Sequence, residues 1–269
     1  MHGRVLIVAG SDSGGGAGIQ ADIKAVTALG GYAATAISAL TIQDTRDVHG
    51  MHEVPPEFVA RQIEVVLADI GADCMKTGML HSAPVVEAVL DVLAERAPQV
   101  PLVVDPVMVA KGGAELLKPD TVDVVRTRLL PRANVLTPNL PEAELLTGQA
   151  VATLSDMERT TEALLALGPR AVLLKGGHLR DPAAGGRVID VLATADGIER
   201  FESPRIETTN IHGTGCTLAS GIACGIAQGM AVRDAVGRAR EYVWEAIRTA
   251  PGYGAGHGPL NHAHTVVES

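Results

Sequence analysis

Short, wholly apolar runs alternate along this chain with longer stretches whose apolar positions recur every three or four residues. The first pattern fits strands buried on both faces and the second fits amphipathic helices. Arg4–Ala9 reads as a buried strand, followed by a glycine-rich turn over 10–16 and a helix over about 17–29. Residues 32–40 form a second strand candidate. Phe58, Val59, Ile63, Val66, Leu67 and Ile70 make one face of a helix over 56–70, and Val85, Val86, Val89, Leu90 and Leu93 make another stripe. Cys74–Thr77, Leu102–Val104, Val135–Leu136 and Ala171–Leu174 are brief strands, the second ending at Asp105-Pro106 and the third at Thr137-Pro138. A helix covers roughly 119–129. Ser155 with Glu158 three residues on predicts a capping box opening a helix that runs to 167. Residues 187–192 and 200–203 read as a hairpin pair, and helices begin near 214 and 232.

Strands alternating with helices predict an α/β fold: a central, mostly parallel sheet with helices on both faces. No linker or repeat divides the chain, so residues 1–269 are expected to form one domain. Ligands of such sheets sit beyond the carboxyl ends of the strands. The polar punctuation falls there, at Ser11-Asp12, Gln43-Asp44, Asp105, Asn139, Lys175 and residues 213–216.

Composition narrows the function. Hydrophobic residues make up 46% of the chain and charged residues 20%, which excludes disorder. With 22 basic against 31 acidic residues, the net charge of -9 disfavours capture of nucleic acid or an anionic membrane surface. Only six residues are aromatic, too few for a base-stacking platform. Three cysteines without a C-x-x-C pair fit a reducing cytoplasm, and no signal peptide is seen. Residues 213–232 carry no charge and hold Gly221, Gly225 and Gly229 at four-residue spacing. That spacing can mark a membrane helix dimer, but five glycines and several hydroxyls leave too little bulk, so a buried helix packed against the sheet is expected.

Two loops carry candidate chemistry. Gly16-x-Gly18-x-x-Ala21 matches a relaxed dinucleotide fingerprint, or is simply a tight turn. No Gly-Lys dipeptide occurs, so there is no P-loop. Asn210-Ile211-His212-Gly213-Thr214-Gly215-Cys216 opens the uncharged helix. Glycines at a helix start expose N–H groups to an anion, and a thiol in the first turn is expected to fall below its free pKa of about 8.5. Cys216 could equally be a structural cysteine, as Cys224 is expected to be.

Six ordered segments carry a resemblance: residues 9–24 (Ala-Gly-Ser-Asp-Ser-Gly-Gly-Gly-Ala-Gly-Ile-Gln-Ala-Asp-Ile-Lys), Lys76-Thr77-Gly78-Met79-Leu80, Val104-Asp105-Pro106-Val107-Met108-Val109, Thr137-Pro138-Asn139-Leu140-Pro141-Glu142, Leu174-Lys175-Gly176-Gly177-His178, and His212-Gly213-Thr214-Gly215-Cys216. Together they resemble the hydroxymethylpyrimidine/phosphomethylpyrimidine kinases of thiamine biosynthesis, in the ribokinase-like superfamily. The resemblance implies ATP-dependent phosphorylation of 4-amino-5-hydroxymethyl-2-methylpyrimidine and of its monophosphate, with Mg2+, by a cytoplasmic homodimer. It implies that Asp22, Gln43, Gly10 and Met79 bind the pyrimidine, and that Asn139-x-x-Glu142 serves magnesium and phosphate. On its own the same spacing is a helix cap. Asp105 is expected near the metal or the reacting hydroxyl, and Lys175 on the phosphate side. Gly213, Thr214 and Gly215 would hold the transferring phosphoryl group, with Cys216 as the base. His178 and His212 are expected to be hydrogen-bonded loop residues, and the tail with His257, His262 and His264 a loop near the nucleotide. A pyridoxal kinase is the nearer alternative and a dinucleotide-dependent oxidoreductase the remoter one.

Overall fold

The computed structural model describes residues 1–108, 119–181 and 184–266; Val109, the last residue of the third segment above, lies outside them. Ten strands are described: β1 Arg4–Ala9, β2 Tyr32–Ile37, β3 Ala39–Gln43, β4 Val48–Glu53, β5 Cys74–Thr77, β6 Leu102–Val104, β7 Val135–Leu136, β8 Ala171–Leu174, β9 Arg187–Thr194 and β10 Gly197–Pro204. Eight form one sheet in the order β10-β9-β8-β7-β6-β5-β1-β2, while β3 and β4 make a separate antiparallel ribbon. From β2 through β8 every pairing is parallel, and β9 runs against β8 and β10.

The helices are α1 Gly18–Ala28, α2 Pro56–Asp69, α3 Ala83–Arg96, α4 Pro119–Val124, α5 Leu140–Thr147, α6 Leu154–Leu165, α7 Thr214–Ala227 and α8 Val232–Arg248. The two-residue alternation of β1 divides the core. Leu6 and Val8 join Val59, Ile63, Val86 and Leu93 of α2 and α3 on one face. Val5, Ile7 and Ala9 join Val26, Ile222 and Val236 of α1, α7 and α8 on the other. With both faces covered, these strands need the continuous apolar runs that the sequence shows.

Three expectations need correcting. The run over 32–40 is not one strand: the chain leaves the sheet at Ser38, and 39–43 pairs instead with β4. Phe58 is not on the buried face of α2 but is 61% exposed. The cap of α6 is Thr153 with Asp156, two residues before Ser155 and Glu158. The helix expected over 119–129 is present over that span, its second half, Val125–Leu129, in π form and followed by a 3-10 turn. The uncharged segment is a buried helix, α7, that packs on β1, β5 and β6 as expected, while its Gly221 and Gly225 face another helix. A Cβ on Gly221 would lie 3.0 Å from that of Ala239, and one on Gly225 would lie 2.7 Å from that of Ala235, both on α8. Among the described residues no helix is long and apolar enough to cross a membrane.

Candidate active site

Five parallel strands end at one edge of the sheet, and each hands on to a polar segment: Gly10 after β1, Gly78 after β5, Asp105 after β6, Thr137 to Asn139 after β7, and Lys175 after β8. The loop after β1 turns its N–H groups inward. Asp12, 1% exposed, accepts from Gly14 N at 2.8 Å, Gly16 N at 3.0 Å and Ala17 N at 2.7 Å. His212 Nε2 lies 2.8 Å from the same carboxylate. Burial works against the Asp12 anion, but His212 and the N–H groups outweigh it and hold its pKa below the ordinary value. These N–H groups are therefore spent on a side chain and do not form a pyrophosphate cradle. The glycines serve close packing instead: a Cβ on Gly16 would lie 2.4 Å from His212 Cδ2. The dinucleotide reading of Gly16 and Gly18 falls on this point.

The β3–β4 ribbon is tied onto that loop. Ser11 N donates to Ala39 O and Thr41 Oγ1 donates to Ser11 O. Ser13 Oγ donates to Gln43 O and accepts from Gln43 N. The Gln43 amide lies 3.3 Å from His212 Nε2, and its Oε1 accepts from Thr41 Oγ1. Gly10 and Met79 meet directly, since a Cβ on Gly10 would lie 2.5 Å from Met79 Cε. Ser38 Oγ donates to Met79 O and fixes that backbone. Gln43, Gly10 and Met79 thus surround the end of β1.

The second cluster lies at the ends of β6, β7 and β8. Lys175 Nζ donates to Asp105 Oδ1 at 2.9 Å, and Thr137 Oγ1 reaches the same oxygen. Burial lowers the Lys175 pKa, but Asp105 and Glu142 more than offset it, so the group stays a cation. Asn139 caps α5: its Oδ1 accepts from Glu142 N, and Glu142 Oε2 accepts from Asn139 N. Burial, then the charge of Asp105, pushes the Glu142 carboxyl up to about 7 against the pull of Lys175. The start of α7 closes this cluster. Gly213 has φ +83°, and a Cβ there would lie 1.8 Å from Gly16 O, so only glycine fits. A Cβ on Gly215 would lie 3.1 Å from Lys175 Nζ and 3.5 Å from Asp105 Oδ2. Among the described residues α7 has no side-chain cap and no acid in its first turn, so no carboxylate of its own offsets its positive end.

Two expectations about this site are overturned. Asp22 is 0% exposed, and its carboxylate is taken by Lys76 Nζ at 2.9 and 3.0 Å and by Ser220 Oγ at 2.7 Å. These contacts tie Asp22 to Lys76 and Ser220 in the interior, in place of the pyrimidine contact that the resemblance implies. The Cys216 thiol does not fall below its free value. Burial pushes it up to about 11, although Lys76 pulls it down. The helix start is where the sequence places it, but desolvation exceeds the dipole there. Lys76 was missed as a site residue; its signal was a lysine inside the buried strand Cys74–Thr77. Asp190 was also missed. It accepts from Gly176 N and from Arg240 Nε of α8, each at 2.7 Å, and so shapes the turn after Lys175. The tail lies on the ribbon side: His257 N donates to Thr45 O, and His212 N donates to Gly258 O.

Comparison with known proteins places the chain. The sequence model of the phosphomethylpyrimidine kinase family matches residues 12–261. The chain is 52% identical to the thiamine biosynthesis bifunctional protein ThiED of Geobacter sulfurreducens over 97% of its length, and spans 52% of that longer protein. It is 47% identical to a hydroxymethylpyrimidine/phosphomethylpyrimidine kinase of Streptomyces coelicolor, covering 98% of this chain and 96% of the relative. Pyridoxal kinase from Staphylococcus aureus, solved with AMP-PCP and pyridoxal, superposes with a TM-score of 0.89 at 29% identity, over 100% of this chain and 96% of that one.

Proposed function

The chain belongs to the phosphomethylpyrimidine kinase family, and from that membership we propose how its site phosphorylates 4-amino-5-hydroxymethyl-2-methylpyrimidine with ATP, and then the monophosphate to the diphosphate. The observation that carries the assignment is convergence at one sheet edge. The uncapped start of α7 lies against Lys175 and Asp105, and His212 joins it to Gln43 on the pyrimidine side.

The pyrimidine sits between Gln43, Gly10 and Met79, its ring edge paired with the Gln43 amide. The backbone N–H groups of Gly213, Thr214 and Gly215, with Lys175, hold the transferring phosphoryl group, whose charge spreads over its outer oxygens. Cys216, in its thiolate form, takes the hydroxyl proton on Sγ and becomes the neutral thiol. The freed oxygen attacks the γ-phosphorus, the bond to the β–γ bridging oxygen breaks, and ADP leaves. In the second round the attacking oxygen belongs to an ionised phosphate and needs no base.

Mg2+ fits the residues present. Magnesium takes one or two carboxylates and completes its shell with water and phosphate oxygens. Asp105 and Glu142 offer two carboxylates, both felt by the Lys175 ammonium, and among the described residues each repels the other's charge without a second cation between them. Asp105 and Glu142 would hold the ion, with Asn139 fixing Glu142, and the ion would neutralise charge on the phosphates. The ATP-analogue complex of the pyridoxal kinase neighbour supports the same use of nucleotide.

The test is Cys216→Ala assayed on both substrates. The loss on the alcohol should be about 10²–10⁴, the usual worth of a general base, and far smaller on the monophosphate. In the parent, the rate on the alcohol should climb about tenfold per pH unit through the neutral range, because a thiol held near 11 is mostly protonated there. Equal losses on both substrates would show that Cys216 shapes the loop without moving the proton.

A further inference from the structure

Lys76 and Asp22 are both 0% exposed and pair through two contacts, at 2.9 and 3.0 Å, in the interior between β5 and α1. An apolar pair of the same volume would hold the fold at least as well, because desolvation consumes most of what a buried ion pair gains. Its position suggests another use. Ser220, which donates to Asp22 Oδ1 at 2.7 Å, lies four residues after Cys216 in α7, so the two side chains share one helix face a turn apart. The ammonium also reaches toward the carboxyl end of β5, since a Cβ on Gly78 would lie 3.1 Å from Nζ.

The geometry points to Lys76 and Asp22 as positioning residues for Cys216: Lys76 favours the thiolate, Asp22 opposes it, and together they set how readily the sulfur gives up its proton. The inference rests on the reading of Cys216 as the base. The groups that act on the sulfur are Lys76 from β5, Asp22 from α1, Asp105 after β6, Lys175 after β8 and the Gly18 N–H. Lys76 is the strongest of them in favour of the thiolate, after burial has pushed the other way.

The experiment is alkylation of the folded, ligand-free protein by iodoacetamide across pH, with Cys216→Ala as background, since Cys74 and Cys224 are fully buried. A nearby charge moves a pKa by about one unit or more. Asp22→Asn keeps an oxygen for Ser220 and Lys76 and removes the opposing charge, so the profile should move about one unit down and neutral-pH alkylation should rise about tenfold. The doubly neutral Asp22→Asn/Lys76→Met variant should react more slowly than the parent and serves if the single variant does not fold. A profile unmoved in both variants overturns the inference. A profile that moves while the pH dependence of phosphorylation stays put upholds it and overturns Cys216 as the base.

Discussion

Gln43 is held at four points: Ser13 clamps its backbone twice, and Thr41 and His212 flank its amide. Such an amide is pre-set for one ring edge, and a ligand lacking that edge forfeits the hydrogen bond, at a cost of roughly 0.5–1.5 kcal/mol. Gln43→Met keeps the bulk and removes the polar edge. It should weaken the pyrimidine alcohol and relatively favour pyridoxal, read as the ratio of the two kcat/KM values; an unchanged ratio would remove Gln43 as the selector. Asp12 and Asp22 show what one residue's sequence context does not reveal. Both are acids near the start of α1, yet one organises the glycine loop and His212 while the other neutralises a lysine 54 positions away. That difference depends on which strand lies beneath each, and no local spacing encodes it.

Asn139 and Glu142 cap α5 through reciprocal hydrogen bonds, so the spacing that sequence leaves open between a cap and a magnesium motif can serve both. Glu142→Gln separates the two roles. Its amide oxygen can still accept from Asn139 N, so helix content and Tm should hold. Without the carboxylate charge, the magnesium needed for half-maximal turnover should rise roughly tenfold or more. An unchanged magnesium titration would leave Glu142 as a cap alone. The strands that build this edge were legible to the residue, because a strand covered on both faces is mostly apolar; β6, β7 and β8 read so throughout, β1 does after Arg4, and β5 departs only at Lys76 and Thr77. The β3–β4 ribbon was not, because it leaves the sheet and carries exposed Leu40 and Ile42, an apolar surface that burial does not explain. Its turn was nonetheless written in Asp44, whose Oδ1 accepts from Arg46 N and Asp47 N. The cap of α6 was misplaced because Thr153/Asp156 and Ser155/Glu158 offer the same pattern two residues apart. Asp181, which accepts from Leu154 N, favours the earlier start.

The C-terminal tail joins parts of the molecule that are far apart in sequence. Gly254 and Gly256 press on Thr45 of the ribbon turn, where a Cβ would lie 2.4 and 2.1 Å from its atoms, and Gly258 presses on Asn210. His262 anchors the end: its Nε2 lies 2.9 Å from Thr217 Oγ1, one residue beyond Cys216, and its carbonyl accepts from Tyr242 OH on α8. Burial first, then Lys24 and His264, push the His262 pKa down to about 4. An unfolded histidine takes up its proton near 6.5, whereas this one resists until about 4, so the unfolded chain binds more protons between those values and stability rises with pH across that window. The contribution is complete above about 6.5 and amounts to at most about 3 kcal/mol, lost progressively as pH falls toward 4. Acidification should therefore lower Tm and loosen residues 254–262 before the sheet, seen as faster amide exchange in the tail than in β1 and β5. His262→Gln keeps a polar partner for Thr217 and cannot titrate, so its Tm should fall less steeply than the parent's between pH 6.5 and 4. Parallel Tm curves for the two proteins over that range would show that His262 is not the group through which acid acts.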